Sequence, residues 1–169
     1  MDKQAVLTAV QDKLKNQFGD GLISSEMLAD YPVFTLKHDI ICDVVRFLYN
    51  DVDLSFQFLT TMAGLHYPEN KGQELGVMYQ LHSLTKNFRI RLKVFFSITD
   101  PTVPSITPVF AGANWMERQE FDFFGIIFKG HPNLKRILNM DDMTYHPMRK
   151  EYPLEDTTRE DKDDKMFGR

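Results

Sequence analysis

The chain has 169 residues, 43 % of them hydrophobic and 26 % charged, which is ordinary globular composition and enough for one domain with a real core. Its net charge of −4 gives no reason to expect nucleic acid or an anionic membrane surface as a partner. The single cysteine, Cys42, excludes an internal disulfide framework and a cluster held by several thiolates of this chain. A reducing, cytosolic compartment is the natural inference.

The first third of the chain predicts two helices separated by two strands. The elements, in chain order, are a helix at 3–18, a weak strand at 22–28, a better strand at 31–37 and a helix at 39–49. Gly19 and Gly21 end the first helix, and Asp39 is placed to cap the second. The N-terminal residues lack the features of a secretory signal, and no apolar stretch reaches the length of a membrane span.

The middle of the chain predicts an antiparallel hairpin. Residues 54–62 are typical of a strand, or of a strand that passes into a short helical turn, and a loop follows at 67–73. Hydrophobic residues then alternate with others at 77–81 and, without a break, at 88–98. A turn at 85–87 joins these two strands, so they are expected to pair with each other.

Three basic residues, Arg89, Arg91 and Lys93, share one face of the second hairpin strand. A solvated outer face is the ordinary interpretation of such a row. A face that docks on an acidic partner, or on RNA, is the alternative. RNA is the least favoured of these, because aromatic residues at stacking positions are missing and the chain is acidic overall.

The most distinctive stretch begins in a long predicted helix. Ser105 is placed to cap this helix, Pro108 falls in its first turn, and Gly125 ends it. A short strand at 126–128 and a Gly-His-Pro turn at 129–133 follow. The pattern therefore predicts a helix that stops at a glycine, a strand and a turn.

The charges on this helix predict a local ion pair. Arg118 and Asp122 are four residues apart, so they are expected to pair across one turn, and Trp115 lies on the same face. Glu117 and Glu120 lie to the sides of that surface. The plainest interpretation is a surface helix whose exposed ion pair contributes a few tenths of a kcal/mol.

A catalytic site is the rival interpretation of the same stretch. Glu117, Asp122 and His131, with His146 as a possible fourth member, could form the site of an independent hydrolase. Against it, no nucleophile paired with a base and no glycine-rich phosphate loop is visible, and the histidines lack zinc-ligand spacing. Such a site would require these side chains to converge in a pocket.

The sequence from Glu117 to Leu138 resembles the signature of the thirty-kilodalton subunit family of respiratory complex I, the C subunit of NADH:quinone oxidoreductase. The matching positions are Glu117, Arg118, Asp122, Gly125, Phe128, Gly130, His131, Pro132, Leu134, Arg136, Ile137 and Leu138. Gln119 departs from the usual Glu, and upstream His66 stands where Asp is commoner. A second matching segment, His146 to Leu154, extends the resemblance to about residues 31–155.

The resemblance implies a scaffold and assembly role in the peripheral arm of NADH:quinone oxidoreductase. That complex transfers electrons from NADH through FMN and Fe–S clusters to quinone and translocates protons. This chain is expected to carry no catalytic residue, cofactor or metal, and to bind chiefly the quinone-site D subunit and also the cluster-bearing B and I subunits, without nucleic acid. It would be peripheral, on the cytoplasmic side of the membrane. The equivalent subunit of a related membrane-bound hydrogenase-type complex is the near alternative.

The resemblance also singles out positions and an architecture. The residues expected to hold the local fold and the subunit interfaces are Trp115, Glu117, Arg118, Asp122, Gly125, Gly130, His131, Pro132, Arg136, His146, Arg149 and Lys150. The predicted fold class is α+β: a single domain at 1–140 with helices on a mostly antiparallel, mixed sheet. Residues 141–169, with scattered apolar anchors among charges, are predicted to form an extended, partly disordered tail that binds partners.

Overall fold

Most of the helices and strands that hydrophobic alternation and helical periodicity predict are present in the structure. A computed structural model of the chain describes residues 3–152. The helices are α1 (Lys3–Phe18), α2 (Ile41–Asn50) and α3 (Ala113–Phe124). The strands are β1 (Leu22–Leu28), β2 (Tyr31–Leu36), β3 (Phe58–His66), β4 (Leu75–Ser83), β5 (Phe88–Phe96), β6 (Thr102–Pro104) and β7 (Ile127–Lys129).

Five of these strands form one mixed sheet in the order β1-β2-β5-β4-β3. The β4–β5 hairpin pairs antiparallel from Leu75 opposite Phe96 to Ser83 opposite Phe88, as its alternation predicts. Only β2 and β5, which lie next to each other in the middle, run parallel in this sheet. A second, two-stranded parallel sheet joins β6 to β7. The α+β class, the single domain and the mixed sheet are confirmed.

The hydrophobic core lies on one face of the large sheet. Side chains such as Phe34, Leu92 and Val94 point to this inner face and are fully buried. They form one apolar cluster with buried residues of all three helices. Because successive side chains of a strand point to opposite sides, Arg89, Arg91 and Lys93 lie on the other face, which we call the outer face.

Two helices begin later than the sequence predicts. The third helix starts at Ala113, not at Ser105, because the Ser105 hydroxyl and the Ile106 N–H both donate to the Glu117 carboxylate and residues 105–112 form turns instead. The second starts at Ile41, after a 3₁₀ turn, and no side chain caps it, so the prediction for Asp39 is wrong.

The segment predicted as a strand at 54–62 becomes regular only at β3, which starts at Phe58. At the other end of the chain, residues 141–152 contain neither helix nor strand but return to contact the domain. The prediction of a partner-binding tail stays a prediction, and its part beyond residue 152 lies outside the described residues.

Candidate functional site

Helix α3 ends at a glycine that both conformation and space require. Gly125 has φ +74°, the left-handed conformation common after a helix, and its N–H donates to the Phe121 carbonyl at 2.9 Å. A Cβ added at Gly125 would lie 2.6 Å from the His146 ring and 2.7 Å from the Arg149 guanidinium. Any other residue would therefore be strained and would displace the side chains that cover the helix end.

The last carbonyls of α3 accept hydrogen bonds from the segment that follows β7. The donors are Arg136 and His146 to the Asp122 carbonyl, the Met148 N–H to the Phe123 carbonyl, and Arg149 to the Phe124 carbonyl. The Arg149 contact is 2.7 Å long. Cationic donors suit this position, because the carbonyl end of a helix carries partial negative charge.

The carboxylate of Asp122 organises the loop after β7. Asp122 is fully buried, and its Oδ1 accepts from Arg136 at 2.6 Å and from the Asn139 side chain at 3.0 Å. Its Oδ2 accepts three backbone N–H groups, from Ile137 at 3.1 Å and from Leu138 and Asn139 at 2.9 Å. One side chain thereby fixes three consecutive residues of the loop.

This arrangement keeps Asp122 ionised. Burial alone would raise the pKa of the carboxyl group, but the hydrogen bonds from Asn139, Leu138 and Ile137 outweigh it and hold the pKa well below its usual value. A buried carboxylate with this many donors has no lone pair in reserve for a substrate proton. Its chemistry is that of a structural anchor.

The predicted pair between Arg118 and Asp122 is wrong. Asp122 pairs with Arg136, whose other nitrogen donates to the carbonyls of Met143 and Tyr145 at 2.6 and 3.1 Å. Arg118 instead donates to the carbonyls of Lys135 and Arg136. Arg118 does not pair with Asp122 because Arg136 and the other donors of the loop after β7 surround the Asp122 carboxylate and bury it.

Trp115 and Arg118 form an exposed unit beside this loop. The guanidinium carbon of Arg118 lies 5.1 Å from the centre of the Trp115 ring, within the range of a cation–π contact. Trp115 is 62 % exposed, unusually high for an indole. The prediction that Trp115 and Arg118 share one face is therefore right, although Asp122 does not belong to that exposed surface.

The Gly-His-Pro turn is fastened to the start of α3. His131 Nδ1 accepts the Asn133 N–H at 3.0 Å, so the ring proton is on Nε2, which donates to the Asn114 carbonyl at 3.1 Å. Gly130 has φ +85° with open space around it, so its glycine serves backbone conformation alone. Pro132 follows within the turn, and both nitrogens of His131 have structural partners.

Two glutamates of α3 are buried, which the sequence did not reveal. Glu117 is fully buried and accepts from the Ser105 hydroxyl at 2.6 Å and the Ile106 N–H at 2.7 Å. Glu120 is 2 % exposed and accepts the Gly64 N–H of β3 at 2.7 Å. Burial raises the pKa of each carboxyl group to about 7, although these hydrogen bonds pull the other way.

The site also depends on residues that sequence reasoning missed. A Cβ at Gly64 would lie 2.6 Å from Glu120 and 2.5 Å from the Phe124 ring, so the strand can meet α3 only with a glycine there. The Tyr79 hydroxyl is fully buried and has no hydrogen-bond partner among the described residues. The one available signal was the i, i+3 spacing of Glu117 and Glu120, which places both on one side of the helix.

The four residues proposed for a hydrolase do not form one site. Glu117 is engaged with the turn before α3, Asp122 with the loop after β7, and His131 with the start of α3. His146 Nδ1 donates to the backbone carbonyl of Asp122, not to its carboxylate. Within residues 3–152, no three His, Cys, Asp or Glu side chains are grouped closely enough to hold a metal ion.

The segment at 141–152 reaches β3 as well as α3. The Lys150 N–H donates to His66 Nδ1 at 3.0 Å, and Lys150 Nζ lies 5.2 Å from the centre of the Tyr67 ring. His66 is 6 % exposed, and burial lowers the pKa of its ring. An Asp in place of His66 would supply the same kind of acceptor for the Lys150 N–H.

Five large apolar side chains on α3 and on the segment that follows β7 are exposed. They are Trp115, Leu138, Met140, Tyr145 and Met148, with 62, 64, 68, 42 and 49 % of their surface exposed. We call these five residues the apolar surface. Single exposed hydrophobic residues are common on any protein, but five on one helix and the loop fastened to it are typical of an interaction site.

The family assignment agrees with this geometry. A family model described as "Respiratory-chain NADH dehydrogenase, 30 Kd subunit" matches residues 34–158, which is well over half of the chain. The chain belongs to this family. The prediction from the signature at 117–138 is thereby confirmed.

Individual relatives of this 30 kDa subunit family agree. The chain is 47 % identical to the C subunit of NADH-quinone oxidoreductase from Nocardioides sp. over 121 residues, 72 % of this chain and 48 % of the relative. It is 39 % identical to the protein of the same name from Mycolicibacterium gilvum over 150 residues, 86 % of this chain and 66 % of the relative. The chain thus spans about half to two thirds of the length of these curated relatives.

A solved structure shares the 30 kDa subunit fold. The trypsin-resistant fragment (1-134) of Nqo5 superposes with a TM-score of 0.63 and 27 % identity, covering 79 % of this chain and all of that fragment. Among the residues that the structure describes, no helix has both the length and the apolar character needed to cross a membrane.

Proposed function

We propose that this chain is a non-catalytic structural subunit of NADH:quinone oxidoreductase. The relatives carry the name of the C subunit of that enzyme, and the motif at 117–138 builds an anchored loop rather than a reaction centre. In this proposal other subunits hold FMN, the Fe–S clusters, NADH and quinone, and this chain contributes contacts. It sits peripherally, on the cytoplasmic side of the inner membrane.

The observation that carries the proposal is the apolar surface on a rigid base. Asp122, Arg136 and Arg149 make their hydrogen bonds inside the chain, so the loop keeps its shape before a partner arrives. A preformed loop loses little conformational entropy on binding. Exposed Leu138 and Met140 are then available to be buried by a neighbour, at roughly 1.5 to 3 kcal/mol for each side chain fully buried.

The proposed partners are chiefly the D subunit, which holds the quinone site, and also the cluster-bearing B and I subunits. Trp115 stacked against Arg118 supports a protein partner, because Trp and Arg are among the residues most enriched at the energetic centres of protein interfaces. The segment at 141–152, which rests on α3 and β3, would extend the same contact.

The test is co-purification of the tagged full-length chain from its own organism in mild detergent, with partners identified by mass. Leu138→Asp should reduce the recovered NADH:quinone oxidoreductase subunits at least about tenfold, because the interface would bury a carboxylate in place of an apolar side chain. Val52→Asp is the matched control, since Val52 is an apolar residue that is 85 % exposed and lies in the turn between α2 and β3, far from Leu138 in the sequence. It should behave as the unmodified chain.

The possible outcomes test the docking surface and the proposed function independently of each other. If Leu138→Asp and Val52→Asp recover equal amounts of the other subunits, the apolar surface is not the docking site. Recovery of no such subunit by the unmodified chain would refute membership in the complex. Recovery of a hydrogenase in place of NADH-binding flavin subunits would favour the related hydrogenase-type complex.

A further inference from the structure

We propose that the outer face of the sheet is a second docking surface, which binds an acidic polypeptide surface of a neighbouring subunit. The inference rests on the proposed function, because it requires a multisubunit complex. It concerns a face on the opposite side of the sheet from α1, α2 and α3, whose buried residues join the inner core.

A row of positive charge runs along the middle of this face. Arg89, Arg91 and Lys93 occupy alternate positions of β5, the central strand of the sheet. Alternate side chains of a strand are roughly 6.6 Å apart along it, so three cations line up on one side. Among residues 3–152, none of the three forms an ion pair with a carboxylate of the chain.

The centre of the row is held in place before binding. The Arg91 Nε donates to the Gln80 side chain at 3.1 Å, and its guanidinium carbon lies 4.4 Å from the centre of the Tyr31 ring. A guanidinium stacked in this way keeps donors free at its outer edge. These contacts hold the guanidinium in one orientation, which lowers the entropy cost of binding a carboxylate.

Half-buried apolar side chains flank the charges. Met78 is paired with Lys93 on one side and with Ala63 on the other, and Phe95 follows on β5. A face with apolar borders and central cations matches a protein surface that has carboxylates among apolar residues. It suits RNA less well, since Arg91 already occupies one face of the Tyr31 ring on which a base would stack.

The outer face is continuous with the segment already proposed to dock. The Phe95 ring centre lies 6.1 Å from that of Tyr67, and Lys150 Nζ lies 5.2 Å from the same Tyr67 ring centre. One partner, or two that touch, could therefore cover the segment at 141–152 and the basic row together. This continuity favours a subunit of the complex over an unrelated ligand.

The test is charge reversal in the full chain, read by the same co-purification at low and at high salt. Lys93→Glu and Arg89→Glu should each reduce the recovered partner subunits about tenfold at low salt, because a like charge would then face the partner. Lys15→Glu is the matched control: it makes the same change in net charge at an exposed position of α1 and should have no effect on recovery. Lys93→Gln should fall between the unmodified chain and Lys93→Glu. Equal melting temperatures would show that all variants fold.

The experiment also distinguishes the proposed partner from other occupants of the outer face. If the unmodified chain recovers the complex, and Lys93→Glu recovers as much of it as Lys15→Glu does, the outer face is not an interface, while the proposed function stands. Failure of the unmodified chain to recover any subunit would instead contradict the proposed function. Sedimentation as a dimer that Lys93→Glu dissociates would assign the face to a second copy. A mobility shift of a single-stranded RNA of about 30 nucleotides, abolished by the same change, would assign it to RNA, and either result overturns the proposal.

Discussion

Replacing Asp122 by Asn tests how the motif holds its loop. The substitution keeps the shape of the side chain but removes its charge and turns one acceptor into a donor. If the new amide nitrogen occupies the Oδ2 position, it faces the N–H groups of Ile137, Leu138 and Asn139. If it occupies the Oδ1 position, it faces the Arg136 guanidinium. Both orientations set donors against donors.

The expected loss follows from burial. Removing one member of a buried ion pair costs roughly 3 to 5 kcal/mol, because the other charge stays out of water. Arg136 keeps its bonds to the carbonyls of Met143 and Tyr145, which favours the lower end, about 3 kcal/mol. At about 1.4 kcal/mol for each factor of ten, the loop would open roughly 150-fold more often.

Amide hydrogen exchange at Ile137, Leu138 and Asn139 measures this opening directly, because their N–H groups are the ones Asp122 binds. The folded-state pKa of Asp122 is depressed, so its contribution is fully present above the unfolded value of about 3.9 and is lost as pH falls below it. Exchange at neutral pH therefore reports the full effect.

Asp43→Asn is the matched control. Asp43 is 67 % exposed and pairs with Arg46 on the surface of α2, so the same chemical change there should cost less than about 0.5 kcal/mol. If exchange at the three amides rises by no more in Asp122→Asn than in Asp43→Asn, Asp122 does not anchor the loop.

Two further predictions concern the ends and the buried side of α3. Gly125→Ala should lower the free energy of unfolding more than Gly72→Ala does, as measured by urea titration. Both glycines have positive φ, but of the two only Gly125 has neighbours within 3 Å of the added Cβ. Equal losses would show that the His146 side chain moves aside at no cost. Relative to the unmodified protein, Glu117→Gln should become increasingly stable as pH rises from the unfolded carboxyl pKa of about 4.3 towards the folded pKa of about 7, by up to about 1.4 kcal/mol per pH unit between these values, and the difference should level off above about pH 7. A raised carboxyl pKa makes ionisation destabilising, so a difference that stays constant with pH would contradict the buried assignment.

Local rules predicted the parts of the fold that depend on neighbours in sequence. Unbroken alternation from Phe88 indicated β5, and the turn before it indicated the pairing with β4. The glycine stop at Gly125 was equally readable, because one residue conformation ends the helix. The parallel contact between β2 and β5 was not readable, since it joins strands far apart in sequence and leaves no periodic trace.

The errors in the site have the same origin. Spacing on a helix suggests the partner at i+4, so Arg118 was paired with Asp122, whereas the buried carboxylate takes Arg136 from a loop beyond the helix. Sequence likewise cannot tell a solvated Glu from a buried one, as Glu117 and Glu120 are. The start of α3 was misjudged because Ser105 satisfies Glu117 instead of capping the helix.

In the proposed function, the charged residues of the motif and the apolar surface have separate roles. Asp122 is buried and saturated, so it cannot touch a partner, yet it accepts the backbone N–H of Leu138, whose side chain is exposed. Changing Asp122 should therefore weaken assembly only through the loop, whereas changing Leu138 should weaken assembly and leave the loop closed. Amide exchange and co-purification measured together on both variants separate these roles, because a direct contact and an indirect one move different readouts.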